Sequence, residues 1–189
     1  MQDDFDEQAL ISQALEDPDA FRQLYDRYFK RIYAYVASRV DQQADAEDIV
    51  SEIFLSVVKN LAQLRGRYTM SFAAWLFVIT RNAVTDHYRR KKDVSSAVPF
   101  ESASVHISTE SDPGITVLNS EGTAQLRGMI AALPERKREI ITLKYYGGLR
   151  NQEIAVVLQI GEKTVAAYLS RALDELYEKY TVLQSEERR

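Results

Sequence analysis

Cysteine is absent from the chain. That excludes disulfides, a thiol nucleophile and thiolate metal sites, and it fits a reducing cytoplasm. Glycine and proline are scarce, seven and four among 189 residues, and no period-2 apolar alternation persists. A mostly helical protein is expected. No apolar run approaches the roughly 18–20 residues of a membrane span. The N-terminus, MQDDFDEQALIS, is acidic where a signal peptide would be basic and then apolar. Direct membrane insertion is therefore not expected. Catalytic material is thin: two histidines, and no phosphate-binding Gly loop. His87 lies beside Asp86, but neighbours on a helix point to different faces. No enzymatic activity, metal or cofactor is expected.

What is present reads as a soluble globular composition, 46% hydrophobic and 28% charged. The length allows one medium domain or two small ones. The formal net charge of −4 argues against a nucleic-acid binder, but the distribution matters more than the sum.

Residues 71–92, SFAAWLFVITRNAVTDHYRRKK, organise the chain. Phe72, Trp75, Leu76, Ile79 and Ala83 recur at helical spacing and predict one buried face. Ser71 is a candidate cap. Off that stripe lie Arg81, Asn82, Thr85, Asp86 and Arg89, and the segment ends on Arg89, Arg90, Lys91 and Lys92. Cations at a helix C-terminus suit the dipole. They also suit an anionic partner, and the rest of the chain decides between the two.

An acidic helix over residues 2–17 would bury Leu10, Ile11 and Ala14. Asp17-Pro18-Asp19 breaks it and caps the next helix. Over residues 20–40, Phe21, Leu24, Tyr25, Tyr28, Ile32, Tyr35, Val36 and Val40 form the apolar face. Asp45, with Asp48 three residues on, resembles a capping box. It predicts a helix over residues 46–63 that buries Ile49, Val50, Ile53, Phe54, Val57, Val58 and Leu61. Glu47, Asp48, Ser51 and Glu52 leave an acidic surface, which suits the N-terminal dipole or a basic partner. Residues 65–70 form a loop in which Arg65, Arg67 and Tyr68 resemble a small nucleic-acid platform.

Composition shifts at Asp93. Residues 93–122 are Ser/Thr-rich, contain no Lys or Arg, and carry a net charge of −5 from Asp93, Glu101, Glu110, Asp112 and Glu121. His106 falls here. This is a flexible linker by length and composition. Beyond it, Leu126, Met129, Ile130 and Leu133 mark a helix. Pro134 opens the next one, which stops at Gly147-Gly148. Asn151 is a candidate cap for a short helix, Gln159-Ile160-Gly161 is a tight turn, and a last helix turns Val165, Leu169, Ala172, Leu173 and Leu176 inward. The tail TVLQSEERR is polar and reads as fraying.

The expected fold is all-α: residues 1–92 and 123–189 as two small helical domains, joined by the linker. The second has the form of a helix-turn-helix, a short capped helix, a Gly-containing turn and a longer helix. Ile154, Ala155, Leu158, Ile160, Val165 and Leu169 would seal it. Glu162, Lys163, Ala166, Ala167, Ser170 and Arg171 would face outward near the second helix's start.

The order of these segments carries a resemblance. AFRQLYDRYFKRIYAYV, DAEDIVSEIFLSVV and SFAAWLFVITRNAVTDHYRRKK resemble, in order, the first domain of RNA polymerase sigma factors of the extracytoplasmic-function group. LPERKREIITLKYYGGLRNQEIAVVLQIGEKTVAAYLSRALDEL resembles the second. The resemblance implies an alternative sigma factor that binds core polymerase and recognises and melts promoters. Asp48, Ser51 and Glu52 fall on positions that dock the beta-prime clamp helices. Arg67, Tyr68, Arg81, Asn82, Thr85 and Arg89 fall on the −10 reading surface, with Arg90, Lys91 and Lys92 for phosphates. Lys144, Arg150, Lys163, Thr164, Ala166, Ala167, Ser170 and Arg171 fall on the −35 surface. The implied partners are core polymerase, through the clamp helices and the beta subunit, promoter DNA and an anti-sigma factor in the cytoplasm.

The chain departs from the pattern in places. Relatives commonly carry Gly where Gln159 stands, Pro for Gly161 and Gly for Lys163, and often Lys or Arg where Ala166, Ala167 and Tyr168 stand. Alanine can pack on thymine methyls, so a weak or AT-leaning −35 reading is expected. The alternatives are a stand-alone helix-turn-helix regulator and a degenerate sigma factor that binds polymerase but reads DNA poorly.

Overall fold

The computed structural model describes residues 2–64, 70–94 and 121–186, with side chains for 7–64, 70–91 and 125–185. Arg67, Tyr68, the Lys92 side chain and most of the expected linker lie outside the described residues. The described residues form eight α-helices and one 3-10 turn, with no strand. The chain divides into two compact units, Met1–Ile107 and Ser108–Arg189.

The first unit holds α1 (Gln2–Gln13), α2 (Pro18–Ala37), α3 (Gln43–Asn60), a 3-10 turn (Leu61–Leu64) and α4 (Phe72–Val94). Asp17 caps α2 as its sequence predicts: its carboxylate accepts the Asp19 N–H at 2.9 Å, and Pro18 sits in the first turn. α1 lies on α2 through Leu10 and Ile11. Glu7 accepts the Tyr28 hydroxyl across that contact and stands 3.7 Å from Arg27. Burial, then the Glu7 bond, pushes the Tyr28 phenol well above its ordinary value.

α3 starts earlier than expected. Its N-cap is Gln42, without a side-chain cap bond, and Asp45 lies inside the first turn. Asp45 and Asp48 have the capping-box spacing, but the helix begins two residues before Asp45. Val58 is exposed rather than buried, as is Leu55.

α4 begins as predicted, with Ser71 Oγ accepting the Ala74 N–H at 3.2 Å. Its buried stripe is rotated by about one residue. Phe72 and Leu76 are buried, but Ala73, Phe77, Thr80 and Val84 complete the face, while Trp75, Ile79 and Ala83 are half-buried. α4 contacts both α2 and α3. Phe77 meets Tyr35 edge-on at 5.6 Å, and Phe72 meets Tyr28 at 5.2 Å. Both ring pairs are favourable in that geometry, and the Phe77–Tyr35 pair goes with the rotated face. The buried Thr80 hydroxyl donates to the Leu76 carbonyl at 2.9 Å.

The second unit holds α5 (Glu121–Ala131), α6 (Glu135–Tyr145), α7 (Asn151–Leu158) and α8 (Glu162–Glu186). Met129, Ile130, Leu133, Ile141, Ala172 and Leu176 form its core cluster, with Leu169 and Leu183 against it. Leu126 and Leu173 are exposed, against expectation. The tail does not fray at Thr181: Leu183 packs on the core and α8 runs to Glu186. Glu175 bonds Lys137 at 2.7 Å and Lys179 at 3.0 Å, tying α6 to α8.

Candidate nucleic-acid and partner interfaces

The outward face of α3 carries Asp48, Ser51 and Glu52, all exposed. Ser51 Oγ donates to the Glu47 carbonyl at 2.9 Å, so its hydrogen stays within the helix. The same face continues into Leu55 and Val58, 60% and 56% exposed. From Asp48, these two lie seven and ten residues on, which is the same helical face. An acidic rim beside an exposed apolar pair is a docking surface in form. Sequence reasoning assigned only Asp48, Ser51 and Glu52. The missed signal was register: Leu55 and Val58 keep step with Asp48 and Glu52, not with the buried Ile49, Ile53 and Val57.

α4 presents Asn82, Thr85 and Arg89 to solvent, with Arg81 half-buried. Thr85 Oγ1 donates to the Arg81 carbonyl at 2.8 Å. Between α3 and α4 runs a groove of about 590 Å³, lined by Glu52, Ile53, Ser56, Ile79, Asn82, Ala83, Asp86, Arg89 and Arg90. Ile79 and Ala83, expected in the core stripe, face this groove instead. The end of α4 is pinned by the Tyr88 hydroxyl, which donates to the Arg39 carbonyl on α2's side.

The cationic run is internally paired. Arg89 NH1 stands 3.4 Å from Asp86 Oδ1, and Arg90 NH2 is 3.0 Å from Glu52 Oε2. Lys91 Nζ is 3.6 Å from Asp45 Oδ2, and His87 Nε2 is 3.5 Å from the same oxygen. His87 is thus turned to Asp45. The hydrogen bond and charge of Glu52 raise the Arg90 guanidinium further above its already high value.

In the second unit, α7 and α8 form the helix-turn-helix. Arg150, not Asn151, is the N-cap of α7. Glu153 accepts the Arg150 backbone N–H at 2.7 Å and its guanidinium at 3.2 Å. That carboxylate satisfies the N–H of the cap residue itself, the reciprocal half of a capping box. Asn151 Oδ1 instead accepts from Lys144 Nζ at 3.2 Å. α6 stops where Gly148 turns left-handed at φ 62°, with the Leu149 N–H on the Leu143 carbonyl. After α7 the left-handed position falls on Gln159, φ 54° and ψ 45°. The Ile160 N–H returns to the Ala155 carbonyl at 3.0 Å.

Val165 and Ala172 are fully buried under α8. Lys163, Thr164, Ala166, Ala167, Ser170 and Arg171 are all exposed. The expected −35 set therefore splits: one side of α8 shows small side chains between two cations, while Lys144 and Arg150 are engaged at α7. Among the described residues, no cluster of His, Cys, Asp and Glu is arranged to hold a metal ion, and no helix is long and apolar enough to cross a membrane.

Comparison with known proteins agrees with this arrangement. Residues 24–94 match Sigma-70 region 2, and residues 123–176 match Sigma-70, region 4. The chain is 32% identical over 165 residues to the ECF RNA polymerase sigma factor BldN of Streptomyces coelicolor, covering 85% of this chain and 60% of BldN. It is 27% identical over 153 residues to the RNA polymerase sigma factor SigZ of Bacillus subtilis, covering 81% of this chain and 82% of SigZ. Its fold resembles CnrH, solved in complex with the cytosolic domain of CnrY, at a TM-score of 0.67, with 23% identity over 92% of this chain and 96% of that one. Fold, exposed faces and the order of the two matched regions define the sigma-70 class, which is not a class of enzymes. The chain belongs to the extracytoplasmic-function group of RNA polymerase sigma factors.

Proposed function

We propose that the chain is an alternative sigma factor, acting in the cytoplasm without enzymatic activity of its own. It binds core RNA polymerase and directs transcription from promoters that carry −10 and −35 elements. The observation that carries this reading is the pairing, on separate units, of an acidic and apolar α3 face with a helix-turn-helix whose second helix is exposed at its start. Residues 1–92 make the polymerase and −10 module, residues 123–189 the −35 module, and residues 93–122 the linker.

Asp48 and Glu52 orient a basic clamp-helix partner, and Leu55 with Val58 supply the desolvated centre. Charge sets encounter and register, while apolar burial sets lifetime. The exposed Leu55 and Val58 favour this reading over a stand-alone regulator, which has no use for them. Arg67, Tyr68, Arg81, Asn82, Thr85 and Arg89 contact the −10 element as it opens. Arg90, Lys91 and Lys92 hold its phosphates. Unstacking costs a few kcal/mol per step, and contacts to the opened strand offset it.

Lys163 and Arg171 hold −35 phosphates. Thr164, Ala166, Ala167 and Ser170 face the bases, where alanine packs on thymine methyls and reads no guanine. Lys144 and Arg150 contribute less, because each already has a partner. The resemblance adds the beta subunit as a second polymerase contact and an anti-sigma factor as the regulator.

Run-off transcription with purified core polymerase on genomic fragments tests the whole reading. Discrete, chain-dependent products are expected. In the same assay, Asn82→Ala and Arg89→Ala should lower promoter opening about tenfold and leave core binding intact. No product from any fragment would sink the reading. Loss of core binding in those two variants would show that the roles of α3 and α4 are misassigned.

A further inference from the structure

We propose that the Arg90–Glu52 ion pair makes phosphate binding by α4 conditional on polymerase docking: Glu52 occupies the Arg90 guanidinium in the free chain, and a basic partner that takes Glu52 releases Arg90 to a promoter phosphate. This rests on the reading of α3 as the polymerase face.

Three successive cations of α4 each meet an acid: Arg89 with Asp86, Arg90 with Glu52 and Lys91 with Asp45. The three acids are not equivalent. Asp86 belongs to α4 itself, and its pair with Arg89 is local, three residues apart. Asp45 is half-buried and shared between Lys91 and His87. Of the two acids on α3, Glu52 is the exposed one, beside Asp48, Ser51, Leu55 and Val58. A partner docked on that face reaches Glu52 directly.

The geometry makes Glu52 and a phosphate compete for one edge of the guanidinium. Both guanidinium nitrogens point at the two Glu52 oxygens, NH2 to Oε2 at 3.0 Å and NH1 to Oε1 at 3.5 Å. A phosphate would take the same planar fork. A polymerase cation that draws Glu52 away, and a phosphate that draws Arg90 away, therefore assist each other, and the assistance is reciprocal in affinity. The side chains are 60% and 52% exposed, so solvent screens the pair. The coupling is correspondingly small, about two- to fivefold.

Phosphate contacts carry no base information, so a fluorescein-labelled random-sequence fork-junction duplex serves as the probe. Its binding is followed by anisotropy over a salt series, with the full chain alone and with the chain bound to core polymerase. In the free chain, Glu52→Gln should tighten binding about two- to fivefold and steepen the log–log salt slope by about one unit. Both changes should vanish when Arg90→Gln is added. Glu47→Gln removes an equal charge from an exposed α3 site bonded to Gln43, and should leave the slope unchanged. In the polymerase complex, Arg90→Gln alone should lower the slope by about one unit.

The coupling is overturned if Glu52→Gln gives no gain in the free chain, or if the gain survives Arg90→Gln. Glu47→Gln matching Glu52→Gln, or a polymerase complex indifferent to Arg90→Gln, overturns it equally. Failure of the underlying reading looks different: the unaltered chain would not bind core polymerase at all.

Discussion

α4 and α8 are the two helices proposed to meet DNA, and they differ in what already holds their charges. On α4 the cations Arg89, Arg90 and Lys91 all face acids of the same unit. On α8 the exposed start carries Lys163 and Arg171 around alanine, threonine and serine, and the acid-paired cation nearby, Arg150, sits on α7. A cationic run is thus a poor guide to free positive charge, and a net-negative chain can still present an uncommitted basic edge. In the proposed coupling α4 needs a partner to rearrange its charges, whereas α8 shows small exposed side chains between two cations.

The sharpest break in that comparison lies on α3, which only the first unit has. Leu55→Glu or Val58→Glu should weaken core polymerase binding more than tenfold, as loss of a desolvated apolar centre does. Because both side chains are more than half exposed, the melting temperature should hardly move. Ile53→Ala, on the buried face of the same helix, should instead destabilise the fold by about 2–5 kcal/mol. Affinity for immobilised core and thermal unfolding, measured on the same preparations, separate the two faces. If Leu55→Glu binds core normally, the docking face is elsewhere.

The second unit is tested by its cations. Lys163→Ala and Arg171→Ala should each lower −35-dependent transcription about three- to tenfold and reduce the salt slope of promoter binding by about one. Lys144→Ala and Arg150→Ala remove groups already bonded to Asn151 and Glu153, so their effect should be less than half as large on a logarithmic scale. Four equal effects would erase the distinction between committed and uncommitted cations. No effect from Lys163→Ala and Arg171→Ala would remove α8 from the −35 surface.

How far the residues alone foretold this can be judged helix by helix. The second unit was the more legible. Gly147-Gly148, the turn at Gln159-Ile160-Gly161 and the inward Ile154, Leu158 and Val165 are local signals, and each found its place. The existence of all eight helices followed from periodicity in the same way. Phase did not. α4 touches two helices at once, and the Phe77–Tyr35 ring contact goes with a face one residue away from the expected stripe. Val58 was misread because a helix with apolar residues on two faces has no single stripe to extend. The Arg90–Glu52 pair joins residues 38 apart. It depends on how α4 crosses α3, which no local pattern encodes. Caps slipped for a related reason: Asp45 and Asn151 have suitable side chains, but Gln42 and Arg150 have the extended backbone that a cap position requires.

The smallest expected effect sharpens the comparison through strain rather than charge. Among the described residues, Gln159 is the only non-glycine with positive φ, and it lies in the turn that aims α8. A left-handed L-residue costs about 1–2 kcal/mol. Glycine there would remove that cost but would add unfolded-state entropy of about 0.4–1 kcal/mol. Gln159→Gly should therefore stabilise the second unit by about 0.5–1 kcal/mol, read as a higher urea midpoint with an unchanged slope. The turn keeps its backbone bonds, the Ile160 N–H to the Ala155 carbonyl and the Gln159 N–H to the Val156 carbonyl, so −35-dependent transcription should not fall. A loss of stability would mean that the Gln159 side chain holds the turn by more than its backbone strain costs.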